Sequence, residues 1–478
     1  MTVEYAARLT ADLPEHLDTS ACDSFATGCF LREGLRMGEG AVGNTLLDDD
    51  RPNTVQNIST AASWYTVIVL CLALLISFTD RLVINLVVDP IRADLILTDF
   101  EVSLLQGAGF AVIFALAGLP CGRLADWANR RNVIMTGIAL WCVATFACGL
   151  AGDFWSFFAA RVAVGLGEAA LVPAASALIF DSFSSRRRGI ALGIFSLGAT
   201  FGTGVAMFVG GVVLAFASLE PIALIGPLAP WRQMFVLVGM PGLLLLPLLL
   251  LIREPQRRHL SGLLPLGGVL RQLGADNGAV LRLCLSKGAL GIGNYAFLSW
   301  LPTLLQRTHG MTPLEAGGLI ALSITTSGVV ASLAGGALSD WIVRRWGLAA
   351  RIVPLLGCCT LAIAGASTTF FAATEQQMTL SFAIWAFGSI SGYVIGHVVM
   401  QENVPNEMRA TTIALSLTIT ALLGIGLGPT LVPLVAEHVF GGEANMQPAM
   451  ATVSLGAALL SFVVIWPSVR KGLRAMGG

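Results

Sequence analysis

The apolar residues of this chain fall into runs of about 20, the length an α-helix needs to cross the hydrocarbon core of a bilayer. Such runs can be drawn at 63–88, 102–122, 132–151, 155–180, 189–216 and 232–252, and again at 284–306, 314–336, 352–373, 378–401, 411–435 and 449–468. In lipid each segment must satisfy its own backbone N–H and C=O groups, so runs of this length dictate helices. Only 12% of the residues are charged, half the ~25% of a soluble domain. The net charge of −1 gives nucleic acid nothing to recognise. The expected fold is an all-α integral membrane protein with 12 transmembrane helices, with the lipid bilayer as its partner.

Two charged turns between these runs repeat each other 214 residues apart. GRLADWANRR (122–131) returns as GALSDWIVRR (336–345), so Asp126, Trp127, Arg130 and Arg131 correspond to Asp340, Trp341, Arg344 and Arg345. Thr98 and Glu101 return at the same offset as Thr312 and Glu315, each pair with capping-box spacing. Asp181 and Arg188 match Glu402 and Arg409, 221 residues on, each followed shortly by Ile-Ala-Leu. The chain therefore reads as two pseudo-symmetric six-helix bundles, residues 61–252 and 283–470. Between them runs a basic linker, 253–282, with the makings of an amphipathic surface helix.

Charge bias sets the expected orientation. With the N-terminal segment inside, Arg123, Arg130, Arg131, Arg186, Arg187, Arg188, Arg344, Arg345, Arg351 and Arg409 fall in cytoplasmic loops, and the outer loops keep only Arg92, Arg232 and Arg307. Residues 1–60 hold ten acidic and four basic residues and no long apolar run, the composition of a disordered tail without a signal peptide; 471–478 is a short second tail. The expected location is the cell membrane, multi-pass, with both termini cytoplasmic. The nine cysteines lie mostly inside apolar runs without CxxC or Cys/His spacing, so no metal site, disulfide framework or cofactor is expected.

At this point the sequence resembles the major facilitator superfamily, whose best-known signature is the G-x-L-[AS]-D-x-x-x-R-R turn after spans 2 and 8. Within it, TDR at 79–81, FWSFFAARVAVGLGEAALVPAASALIFDSF at 154–183, WR at 231–232, REP at 253–255, NYAFLSWLP, VPNEMRA and GIGLGP are similar to the Spinster branch. Organic-anion symporter families share the Asp-Arg pair of span 1 and the Arg…Glu pair of span 4. Asn129 departs from the usual glycine of the turn, and Trp127 from the common arginine. The resemblance implies a secondary active transporter that works by alternating access, as a monomer.

Charges inside a membrane are costly and mark function. Asp80, Arg81, Arg161, Glu168 and His397 lie well inside the spans. Asp80 and Arg81 are neighbours and diverge by ~100° on a helix, so each needs a partner elsewhere. Arg161 and Glu168, seven residues apart, share one face of span 4. Arg81–Glu168 and Asp80–Arg161 are the expected pairings. Glu168 is the first candidate proton carrier and Asp80 the second; Arg81 and Arg161 are the candidate anion binders. A buried ion-pair network that merely clamps spans 1 and 4 is the plain alternative.

At the repeat offsets the second half has Asn294, Tyr295, Phe382 and Ser389, hence no matching charge. Asn294, Tyr295, Tyr393 and His397 could line a mixed aromatic and polar wall of the substrate site. Trp300 near the outer end reads as an interfacial anchor. Lys287, about one turn inside span 7, reads as a lysine that snorkels to the interface. The repeated residues Asp126, Arg130, Asp181, Asp340, Arg344 and Glu402 form the expected cytoplasmic gate, with Arg130–Asp181 and Arg344–Glu402 as pairs. Glycines in span 5 and the run ending at Pro429 would let helices pack closely and slide.

The leading expectation is proton-coupled transport of a small organic anion, such as an aromatic or aliphatic carboxylate, with that small-molecule substrate and protons as partners. The Spinster resemblance offers a second, a lysophospholipid-like or sphingoid amphiphile. The spans carry no nucleophile–base or metal-ligand constellation, which speaks against an enzyme. Neither end offers the folded signalling tail expected of a transporter-derived receptor.

Overall fold

The computed structural model describes residues 59–219, 228–255, 278–404 and 406–477. Most of the expected tail at 1–60 and of the linker, with its amphipathic helix, lies outside the described residues. Those described form helices and turns, with six long helical spans on each side of the linker.

Span 1 is Thr60–Leu82, prolonged by a 3-10 turn, Val83–Leu86. A short helix, Val88–Leu95, follows on the far face, the face opposite the one bearing Ser59 and Met476. Span 2 is Asp99–Ser103 and Gly109–Trp127, joined by a π-turn at Leu104–Ala108. Spans 3 to 6 are Arg130–Leu150, Phe154–Ala169 continued by Leu171–Ser182, Ser185–Leu219, and Pro230–Leu250. Spans 7 to 10 are Ala279–His309, Pro313–Trp346, Pro354–Thr369 and Glu375–Glu402. Span 11 is Asn406–Thr420 and Gly428–His438 around a π-turn at Ala421–Leu427, and span 12 is Met446–Gly477.

Local chemistry sets the helix starts. Thr98 and Thr312 each accept from the backbone N–H three residues on, while Glu101 and Glu315 reach back, so the repeated pairs are true capping boxes. Asp153 does the same with Ser156. Eleven spans are long and apolar enough to cross a bilayer. The other, span 7, is 31 residues long but carries Arg282, Ser286, Lys287 and Asn294. Large apolar side chains such as Leu116, Leu244, Leu333 and Val463 point outward, as they do in a protein solvated by lipid.

Spans 5 with 8 and 2 with 11 form the seams between the halves. A methyl group on Gly317 would stand 2.2 Å from the Met207 carbonyl oxygen, and one on Gly211 2.8 Å from Leu314 Cα. Nearer the other face the same two spans part: a methyl on Gly193 or Gly336 would meet nothing within 4 Å. The halves are thus closed on the far face. Gly317→Ala is expected to cost about 1–3 kcal/mol of stability through overpacking, and Gly336→Ala under about 0.5. Thermal unfolding in detergent checks both.

Candidate substrate and proton site

Side chains on a helix tilt toward its N-terminus, and spans 1 and 4 run in opposite directions. Arg81 therefore reaches toward mid-depth from one side and Glu168 from the other, and the structure brings them together. Arg81 Nη2 and Nε (3.1 Å) and the Ser77 hydroxyl (2.7 Å) all donate to Glu168 Oε2. Glu168 Oε1 has no partner among the described residues. Ser77 lies four residues before Arg81, the helical spacing that could have revealed it. Phe78, Phe110 and Phe114 surround the guanidinium at 4.4–5.2 Å to the ring centroids. From the opposite half, the Tyr295 hydroxyl lies within reach of Arg81.

Asp80 and Arg161 do not pair. Asp80 is fully buried against span 3, where the Thr145 hydroxyl donates to Oδ2 at 3.4 Å and Oδ1 has no partner among the described residues. Arg161 instead donates to two backbone carbonyls, Leu105 (Nε, 2.9 Å) and Arg81 (Nη2, 3.3 Å). The reason is local. The α-helix of span 1 ends at Leu82 and span 2 makes a π-turn at 104–108, and both irregularities release carbonyls that a buried guanidinium can satisfy. Arg161 is a brace for spans 1, 2 and 4.

The second half differs from expectation in two places. Span 7 starts at Ala279, five residues before its apolar run, so Lys287 lies more than two turns inside it. It does not snorkel: it is 8% exposed, with Nζ 5.7 Å from the centre of the Tyr393 ring. Trp300 is no interfacial anchor either; it is fully buried and donates to the Pro429 carbonyl at 2.7 Å. Tyr393 donates to the Lys287 carbonyl at 3.0 Å, Asn294 Oδ1 has no partner among the described residues, and His397 is half-buried near Lys287.

On the face bearing Ser59, Arg130 pairs with Asp181 at 2.5 Å, and the Arg130 backbone N–H donates to Glu254. The matching pair Arg344–Glu402 is absent. Glu402 and Asp340 both go to Arg351, at 2.6 and 3.1 Å, and the exposed Arg344 has no ion pair among the described residues. Asn129 explains the difference. Its side chain accepts from the Asn132 N–H and caps a new helix, which puts Arg130 in the first turn of span 3. The repeat has Val343 there, and the helix of span 8 runs on through Arg344 to Trp346. The Asp126 side chain lies outside the described residues. These pairs stay within one half each.

The contacts that join the halves are on the far face, which sequence reasoning missed. Arg307 of the second half grips Asp89 (2.6 Å) and Asp99 (2.7 Å) of the first. Glu443 of the second takes Arg92 (2.6 Å), which also touches Asp99 (3.3 Å). Within the first half, Arg232 pairs with Asp94 at 2.8 Å. The signal was available: the three outer arginines each find an acid. Deeper in, Gln106 donates to both Asn85 and the Ser299 carbonyl at 3.1 Å. The far face is thus latched, while spans 5 and 8 part toward the face bearing Ser59.

Residues 70–429 match the family model of the Major Facilitator Superfamily. The chain belongs to this superfamily. It is a multi-pass membrane transporter and not an enzyme. It is 26% identical to an efflux pump of the superfamily from Mycolicibacterium smegmatis, over 84% of this chain and 89% of the relative. To a probable galactarate/D-glucarate transporter of Escherichia coli it is 23% identical, over 86% and 95%. Among solved structures it is similar to a bacterial homolog of the human lysosomal transporter Spinster, inward-facing and unoccupied, with a TM-score of 0.69, 26% identity, and coverage of 88% of this chain and 98% of the other.

Proposed function

We propose that this superfamily transporter couples protons to the movement of a small organic anion across the cell membrane, with both termini in the cytoplasm. The observation that carries the reading is the buried Arg81–Glu168 pair beside Tyr295, where the two halves meet. An anion arriving at Arg81 competes with Glu168. A carboxylate that loses its arginine holds a proton more readily, so anion and proton load together. Asp80, buried with one free oxygen, is the second proton candidate. Asn294, Tyr295, Tyr393 and His397 form the opposite wall, and the three phenylalanines around Arg81 suit an apolar body on the substrate. Arg161 holds the backbone beneath Arg81, and the Arg130–Asp181 and Arg351–Glu402–Asp340 groups serve the cytoplasmic gate.

The likeness to Spinster keeps a lysolipid in the test. Thermal stabilisation of the purified protein is to be compared across organic acids and lysophospholipids at low and high pH. The expected result is stabilisation by an acid that grows as pH falls, since binding takes up a proton. Stabilisation by a lysolipid alone, independent of pH, would replace this reading with the amphiphile one.

A further inference from the structure

Lys287 is a buried cation in the middle of the second half that the proposed mechanism leaves unused. It is 8% exposed, and none of the ion pairs among the described residues includes it. It sits at a seam, with one apolar cluster on its own helix at Leu290 and Ile292 and another at Leu283 and Cys284. Its stem packs on Gly396. The described groups around the ammonium are Tyr393, His397 and Cys284, and no carboxylate is among them. An ammonium so placed has lost much of its water and gained no counter-charge among the described residues, which is costly unless something else supplies the charge.

The position tells what that is. Lys287 and Tyr295 are eight residues apart on span 7, so they share a face with about 12 Å of rise between them. Tyr295 reaches Arg81, and the Tyr393 hydroxyl packs against Gly291, one helical turn before Tyr295. A line of polar groups therefore crosses the molecule from Glu168 through Arg81, Tyr295 and Tyr393 to Lys287. It has a cation in each half and a carboxylate at one end only.

We propose that Lys287, with Tyr393 and His397, is a second anion subsite, and that the preferred substrate is a dianionic acid whose two charged groups engage Arg81 and Lys287. This rests on the reading that Arg81 takes the substrate anion. Such a substrate supplies the missing counter-charge and ties the two halves together through its own length. The ~12 Å of helix rise between Lys287 and Tyr295, which reaches Arg81, sets the scale of a short dicarboxylate such as adipate.

Calorimetric titration of the full-length protein with adipate and with its monomethyl ester, equal in chain length and different by one charge, tests this. Wild type is expected to bind adipate at least tenfold more tightly than the ester. Lys287→Met should weaken adipate at least tenfold, to the level of the ester, and leave the ester within twofold; Lys287→Arg should keep a preference for adipate. Losing a charge without a partner leaves no orphaned counter-ion, so the methionine variant should fold, and gel filtration checks that. An adipate-to-ester ratio in Lys287→Met within twofold of wild type overturns the inference, as does a wild type that binds the ester and prefers it or shows no preference. If the wild type binds neither probe at any pH, the anion-carrier reading falls and takes the subsite with it.

Discussion

Replacing Glu168 by glutamine is expected to abolish proton-driven accumulation and to spare exchange of internal for external substrate. Glutamine keeps the shape and can still accept from Ser77 and Arg81, which now converge on one oxygen of Glu168. What it loses is the ability to trade a proton for the arginine. A gradient of one pH unit can support about tenfold accumulation per proton. In reconstituted vesicles that ratio should fall to about 1 in Glu168→Gln, and substrate affinity should lose its dependence on pH. Glu168→Ala is a different experiment. It leaves Arg81 buried and uncompensated, an expected loss of about 3–5 kcal/mol of stability. Full accumulation by Glu168→Gln would move the proton to Asp80, the second proton candidate, buried against span 3.

The second large effect is expected at Arg307. Its guanidinium holds two acids of the opposite half, and one of them, Asp99, is buried beneath it. Arg307→Ala leaves Asp99 with only the longer contact to Arg92. Hydrogen bonds to charged groups contribute about 1.5–3 kcal/mol, so the equilibrium between the two faces should move roughly ten- to hundredfold toward opening on the far face. Spin-label distances between the exposed Ala93→Cys and Thr308→Cys, measured with and without the substitution, report this. An unchanged distance distribution would mean that the glycine seams alone keep the face shut.

Much of the fold was legible because membrane helices obey few rules. Runs of about 20 apolar residues gave the spans, and the paired Thr-Glu motifs marked two helix starts to the residue. Arg81 and Glu168 stood out because charges are rare inside lipid and because their helices run in opposite directions. The failures have equally plain causes. Asp80–Arg161 looked inevitable from charge counting, which ignores the carbonyls that a π-turn and a helix end release. Arg344 was paired with Glu402 by the repeat, yet one capping residue, Asn129, makes the two turns differ in backbone path. Lys287 was placed near the interface because span 7 was drawn from its apolar run, while its helix begins five residues earlier. The far-face contacts that join the halves link residues more than 200 positions apart, beyond anything local patterning registers.

The setting of that far-face latch has an effect of its own. Asp89, Arg92 and Glu443 have side chains 35–41% exposed, whereas Arg81 and Glu168 are sealed from solvent. Mobile ions reach the first group and not the second. Screening shortens from a Debye length of ~8 Å in physiological saline to ~3 Å at 1 M. Ionic strength at the far face therefore acts on the latch while the buried Arg81–Glu168 pair stays out of reach. Between dilute water and brine, the half-exposed grips should loosen while the buried Arg307–Asp99 contact holds on.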